Sequence, residues 1–163
     1  MAPRDRIVAV IGPGDTNDET LLATARAVGA QLAGSECTVV TGGLGGVMAA
    51  ASQGASEAGG LVVGLLPGDS ADAANDWVEV AIPTGLGEAR NALVVRSARV
   101  VIAIGGSRGT LAEIALARRR NTPVIAIGGW QLVGPAADDD VVAAADAEQA
   151  VELALQLLPD VRT

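Results

Sequence analysis

The stretch Val100-Val101-Ile102-Ala103-Ile104-Gly105-Gly106-Ser107-Arg108-Gly109-Thr110-Leu111-Ala112-Glu113 decides how this chain is read. Its β-branched run predicts a buried strand, its glycines a tight turn, and the residues that follow a helix. Backbone N–H groups converge in such a turn, and the helix start adds partial positive charge. Together they make a seat for an anion, most often a phosphate. No Walker lysine is present, so an ATP-hydrolysing loop is not supported. Ser107 and Thr110 add hydroxyl donors, which makes Gly105, Gly106, Ser107, Arg108, Gly109 and Thr110 the candidate phosphate-binding set. Glu113 carries two readings. It is either a free carboxylate available for chemistry or the partner of Thr110 in a capping box that satisfies orphan N–H groups.

The same rhythm extends outward on both sides. Ile7–Ile11 runs into Gly12-Pro13-Gly14, Cys37–Val40 into Thr41-Gly42-Gly43-Leu44-Gly45-Gly46, and Leu61–Leu66 into Pro67-Gly68. Trp77–Ile82 is stopped by Pro83, and Pro123–Ile127 by Gly128-Gly129. Helical spacing follows Asp15-Thr16-Asn17-Asp18 as far as Gly34, then recurs over 47–58, from Arg90 to Ser97, up to Arg118-Arg119-Arg120, and over 147–158. Residues 69–76 and the acidic run Asp138-Asp139-Asp140 read as surface loops. This alternation predicts an α/β protein: a single Rossmann-like, doubly wound parallel sheet with helices on both faces, one domain over residues 1–163. The glycines fall at the carboxyl ends of the strands, where such sheets bind ligands.

Composition narrows the chemistry. The chain has 163 residues with a formal charge of −8, half of them apolar, with no Phe or Tyr and two Trp. Small branched side chains suit strands sandwiched between helices. The acidic balance disfavours nucleic acid and anionic lipid, but a small phosphorylated ligand needs only local donors. With no histidine and one cysteine, Cys37, the usual zinc sets, a His-based triad and an internal disulfide are excluded. Apolar runs are too short for a signal core or a membrane span, so the expectation is a cytoplasmic protein without a metal site.

Each remaining motif has a plainer reading beside the functional one. Gly12-Pro13-Gly14 is a poor dinucleotide fingerprint: Asn17 takes the third glycine's place and Pro13 removes a donor, so a tight turn is the simpler reading. A nucleotide base or ribose lying over Gly12 and Gly14 is the functional one. Gly42, Gly43, Gly45 and Gly46 exceed what a turn requires, so either a ligand or another chain segment comes close to them. Arg90 and Asn91 open a helix near the same sheet edge, where a buried arginine needs Glu88, Glu113 or a phosphate as partner. Arg118–Arg120 most simply complement a helix dipole. Trp77 and Trp130 read as core or interface anchors. The helix over 47–58 is nearly all small residues, fit to pack close to the sheet or against a partner chain.

Gly105-Gly106-Ser107-Arg108-Gly109-Thr110-Leu111-Ala112-Glu113 resembles the G-G-x-G-T-x-x-E signature of the LOG-like superfamily, the "possible lysine decarboxylase" family. Arg108 is an extra residue in it. Ala89-Arg90-Asn91 and Thr41-Gly42-Gly43-Leu44-Gly45-Gly46-Val47-Met48 match two further elements in the right order, and the likeness covers about residues 6 to 130. The resemblance implies two competing functions. One is that of a molybdenum cofactor carrier-like binding protein, with the cofactor as bound ligand. The other is that of a phosphoribohydrolase that cleaves the N-glycosidic bond of cytokinin riboside-type nucleoside 5′-monophosphates. Ile104 replaces the hydrolases' proline, Asn91 their lysine and Ala112 a second glutamate, which places the chain nearer the carrier branch. Ser107 stands where the family often has glycine. On the enzyme reading Glu113 and Arg90 are the catalytic pair; on either, a homodimer or larger homo-oligomer is implied.

Overall fold

Alternating apolar runs and glycine turns build one parallel sheet in the computed structural model, which describes residues 5–133, 135 and 141–160. The elements are β1 (Ile7–Ile11), α1 (Glu19–Gly34), β2 (Thr38–Thr41), α2 (Val47–Glu57), β3 (Val62–Leu66) and β4 (Val80–Pro83). After them come α3 (Arg90–Ser97), β5 (Val100–Ile104), α4 (Arg108–Arg119), β6 (Val124–Ile127), β7 (Val142–Ala144) and α5 (Ala147–Gln156). The strand order is β4-β3-β2-β1-β5-β6-β7. Every pairing is parallel; Val8 lies beside Val39 on one side and Val100 on the other. The chain therefore winds outward from β1, then returns to lay β5 against β1's free edge. That reversal opens a crevice above the carboxyl ends of β1 and β5.

Two apolar layers hold the sheet. On one face α1, α2 and α5 cover Val8, Val10, Val39 and Ile102; on the other α3 and α4 cover Ala9, Ile11, Val40 and Val101. β2, β5 and β6 are buried along their whole length because both faces of the sheet are covered, which explains their continuous apolar sequence. The small residues of α2 serve a contact inside the chain: a Cβ on Gly54 would collide with the Arg26 carbonyl of α1. Close approach to a neighbouring helix, as well as to the sheet, accounts for that composition.

Two features differ from the sequence reading, and one lies beyond comparison. β7 is an unexpected edge strand whose first residue, Val142, is 46% exposed. β4 starts at Val80 because Trp77 is drawn into a turn, its N–H donating to Asn75 Oδ1 at 3.1 Å. The run Asp138–Asp140 lies outside the described residues. Among the described residues no helix is long and apolar enough to cross a membrane, and no cluster of metal-ligating side chains occurs.

Candidate functional site

Three strand-to-helix turns meet at the crevice: Gly12 and Gly14 after β1, Gly42 to Gly46 after β2, and Gly105 to Gly109 after β5. The third turn is the open one. Ser107 is the N-cap of α4, its hydroxyl accepting from Thr110 N at 3.2 Å and lying 2.9 Å from Thr110 Oγ1. Of the two readings open for Glu113, the capping box is not the one formed: Ser107 with Thr110 makes the cap, and Glu113 sits a turn further on, outside it. Gly105 is committed as well: its N–H donates to Ile127 O at 3.0 Å. Among the described residues the N–H groups of Gly106, Ser107, Arg108 and Gly109 have no protein acceptor. Gly106, Arg108 and Gly109 are exposed and Ser107 partly so. A run of unpaired amides at a helix start, capped by a neutral side chain, has the donors that an anion would need.

The β2–α2 turn is the inner wall. Arg90 is buried, and its Nη1 donates to Gly42 O at 2.7 Å and Leu65 O at 2.8 Å. That guanidinium fills the space a side chain on Gly42 would occupy. Gly46, at φ +58°, lets the chain pass the Pro13 carbonyl, which accepts from Val47 N at 3.0 Å. Of the two alternatives for these glycines, close approach by other chain segments explains all four: Leu66 lies against Gly43, and Gly14 against Gly45. Gly42 and Gly43 are buried, so the outer part of this turn, Gly45 and Gly46, faces the crevice rim.

The buried Arg90 and the partly buried Glu113 influence one another through their charges. Burial pushes the Glu113 carboxyl up to about 7, while the Arg90 charge pulls it partly down. Burial also lowers Arg90, and Glu113 opposes that shift. Neither side chain makes a direct ion pair among the described residues, and Arg90 Nε is buried without an acceptor. Near neutral pH the Glu113 carboxyl is therefore only partly ionised. Asn91 follows in the first turn of α3, and its side chain makes no hydrogen bond to the described residues.

Two contributors escaped the sequence reading. Trp130 stands beside Gly106 at the end of β6, its Nε1–H donating to Ser107 O at 2.9 Å, and it remains 38% exposed. Asn75, within the presumed surface loop, donates from its backbone N to Gly43 O at 2.8 Å and from Nδ2 to Leu44 O at 2.9 Å. Only a Gly-Gly-Trp stop after an apolar strand, mirroring the Gly-Gly after β5, hinted at the former.

The geometry has counterparts among known proteins. The sequence pattern of the SLOG cluster4 family matches residues 5–157. The chain belongs to the SLOG cluster4 family. It is similar to the molybdenum cofactor binding protein of Rippkaea orientalis at 37% identity and a TM-score of 0.85, covering 94% of this chain and 98% of that one. It is also similar to the molybdenum cofactor carrier protein of Chlamydomonas reinhardtii, 38% identical with a TM-score of 0.82, over 93% of this chain and 97% of that one. An uncharacterized protein of Archaeoglobus fulgidus is 40% identical over 120 residues, 74% of this chain and 78% of its own length. The resemblance to the LOG-like superfamily and its carrier branch is borne out, as is the Rossmann-like sheet.

Proposed function

We propose that this SLOG cluster4 chain binds a small phosphorylated, nucleotide-like ligand and that the ligand is of the molybdenum cofactor type, a pterin bearing a phosphate. One observation carries the reading: the unpaired amides of Gly106, Ser107, Arg108 and Gly109 lie at the point where the strand order reverses. The phosphate sits on those amides, Gly12 and Gly14 line one side, and Gly45 and Gly46 line the wall that Arg90 braces. Arg108, exposed at the first position of α4, adds a charge-assisted contact. Similarity to two molybdenum cofactor proteins over nearly their whole length supports the choice of ligand.

The test is ligand-induced stabilisation. Added pterin cofactor raises the melting temperature in a concentration-dependent way, and nucleoside 5′-monophosphates do so more weakly. Flat curves for all of them overturn the proposal.

Glu113 supports a second reading, in which the same seat holds a nucleoside 5′-monophosphate for N-glycosidic cleavage. A carboxyl near pH 7 beside the sugar is suited to proton transfer. Such cleavage usually takes two acidic groups, and Ala112 stands where the hydrolase branch carries its second glutamate. Free adenine released from AMP by the wild type and lost in Glu113→Ala selects the enzyme; equal background in both removes it. A cytoplasmic setting and a homo-oligomeric state complete the proposal. Val80 and Ile82 on the edge strand are each 42% exposed and Leu86 51%, an apolar strip that a second copy covers. Light scattering in solution tests that state.

A further inference from the structure

The charges of this chain are unevenly placed. Residues 88–120 hold seven of the 11 basic side chains and two of the 19 acidic ones, a net +5 in a chain of −8. Arg90 and Arg108 open α3 and α4 beside the amide seat; the other five, Arg96, Arg99 and Arg118 to Arg120, gather at the far end of the two helices. A groove of about 390 Å³ runs between the two helices, with Ala92, Val95 and Leu116 as floor and Arg96, Arg119 and Arg120 as rim. Arg96 and Arg120 also border a second depression of about 530 Å³, which continues past Arg99 and Pro123 along the amino edge of the sheet. The two share Arg96 and Arg120 as a common border, a continuity that suits an extended or helical chain segment better than a compact small molecule.

Arg96, Arg119 and Arg120 are exposed and make no ion pair among the described residues; Arg99 alone has a carboxylate neighbour, Asp5, at 3.6 Å. Helix dipoles account for single cations at the ends of α3 and α4, but not for their convergence on one apolar-floored groove. Like charges held together in an otherwise acidic protein repel one another and gain when an opposite surface covers them. We propose that this groove docks a partner protein through an acidic segment with interspersed apolar residues: its carboxylates meet Arg96, Arg119 and Arg120, and an aliphatic or aromatic side chain fills the Ala92–Leu116 floor. The surface lies on the opposite edge of the sheet from the ligand crevice, so a docked partner leaves the crevice mouth free.

A display library of short random peptides selected on the full chain tests this. Enriched peptides carry Asp or Glu around Leu, Ile or Phe, bind more weakly as salt rises, and lose at least about tenfold in affinity to Arg96→Glu/Arg120→Glu. The variant keeps the wild-type melting temperature to within a few degrees, since both side chains are exposed. Enrichment without acidic residues, binding unchanged in the variant, or no enrichment at all overturns the proposal. So does equal binding of polyglutamate, which lacks the apolar anchor. A wild-type dimer that the same substitutions dissociate overturns it too, because a second copy then occupies the groove.

Discussion

The starts of α1 and α4 flank the same crevice and follow similar glycine turns, yet they treat an anion oppositely. Asp18 caps α1, its Oδ1 accepting from Thr20 N at 2.9 Å and Leu21 N at 3.2 Å. A carboxylate thus already occupies the positive end of that helix. Ser107 caps α4 with a neutral hydroxyl and leaves four amides unpaired. The glycines alone do not make a phosphate seat: the charge of the cap decides whether the helix end is spent on the protein or kept for a ligand.

The largest way to break this contrast is to remove what supports the open side. Arg90→Ala leaves the buried carbonyls of Gly42 and Leu65 without their donor, and a loss of about 2–4 kcal/mol in denaturant unfolding is expected. A loss below about 0.5 kcal/mol would show that water replaces the guanidinium. Next in size, Ser107→Asp gives α4 the cap of α1: the expected result is at least tenfold weaker ligand binding by titration calorimetry, about 1.4 kcal/mol, with the melting temperature held or raised. Unchanged affinity would move the phosphate elsewhere.

Glu113 sharpens the comparison through pH. Its carboxyl stays protonated in the folded protein up to about 7, against an ordinary 4.5. Between those values the native state holds a proton that the unfolded chain has released, so stability falls as pH rises through that window. Below 4.5 both states are protonated and the penalty is absent; above 7 it is fully present. Glu113→Gln should flatten the midpoint-against-pH curve between 4.5 and 7. The smallest effect belongs to Asp18→Ala, about 1 kcal/mol in stability with ligand affinity unchanged.

Much of this architecture was legible because buried parallel strands write themselves as continuous apolar runs, and the turns after β1, β2 and β5 are marked by glycine. Asp18 closes the polar run Asp15-Thr16-Asn17-Asp18 after which helical spacing sets in. The cap of α4 was less visible: Thr110-x-x-Glu113 and Ser107-x-x-Thr110 are both plausible local patterns, and the choice depends on where Gly105 releases the chain from β5. β7, with Val142 exposed and only three residues, lacks any alternation to betray it. Asn75 and Trp130 act across 31 and 23 residues of sequence, a reach no local pattern encodes.

The placement of β5 beside β1 also sets an order of events in time. Val8 cannot acquire its Val100 neighbour until well over half of the chain has been synthesised, so the middle of the sheet closes only after β2, β3 and β4 are available. Until then β1 presents an unpaired apolar edge, and the emerging polypeptide is exposed to mispairing while the crevice does not yet exist. The turn that carries the unpaired amides follows β5, so a chain that stops before Gly105 lacks the proposed phosphate site altogether.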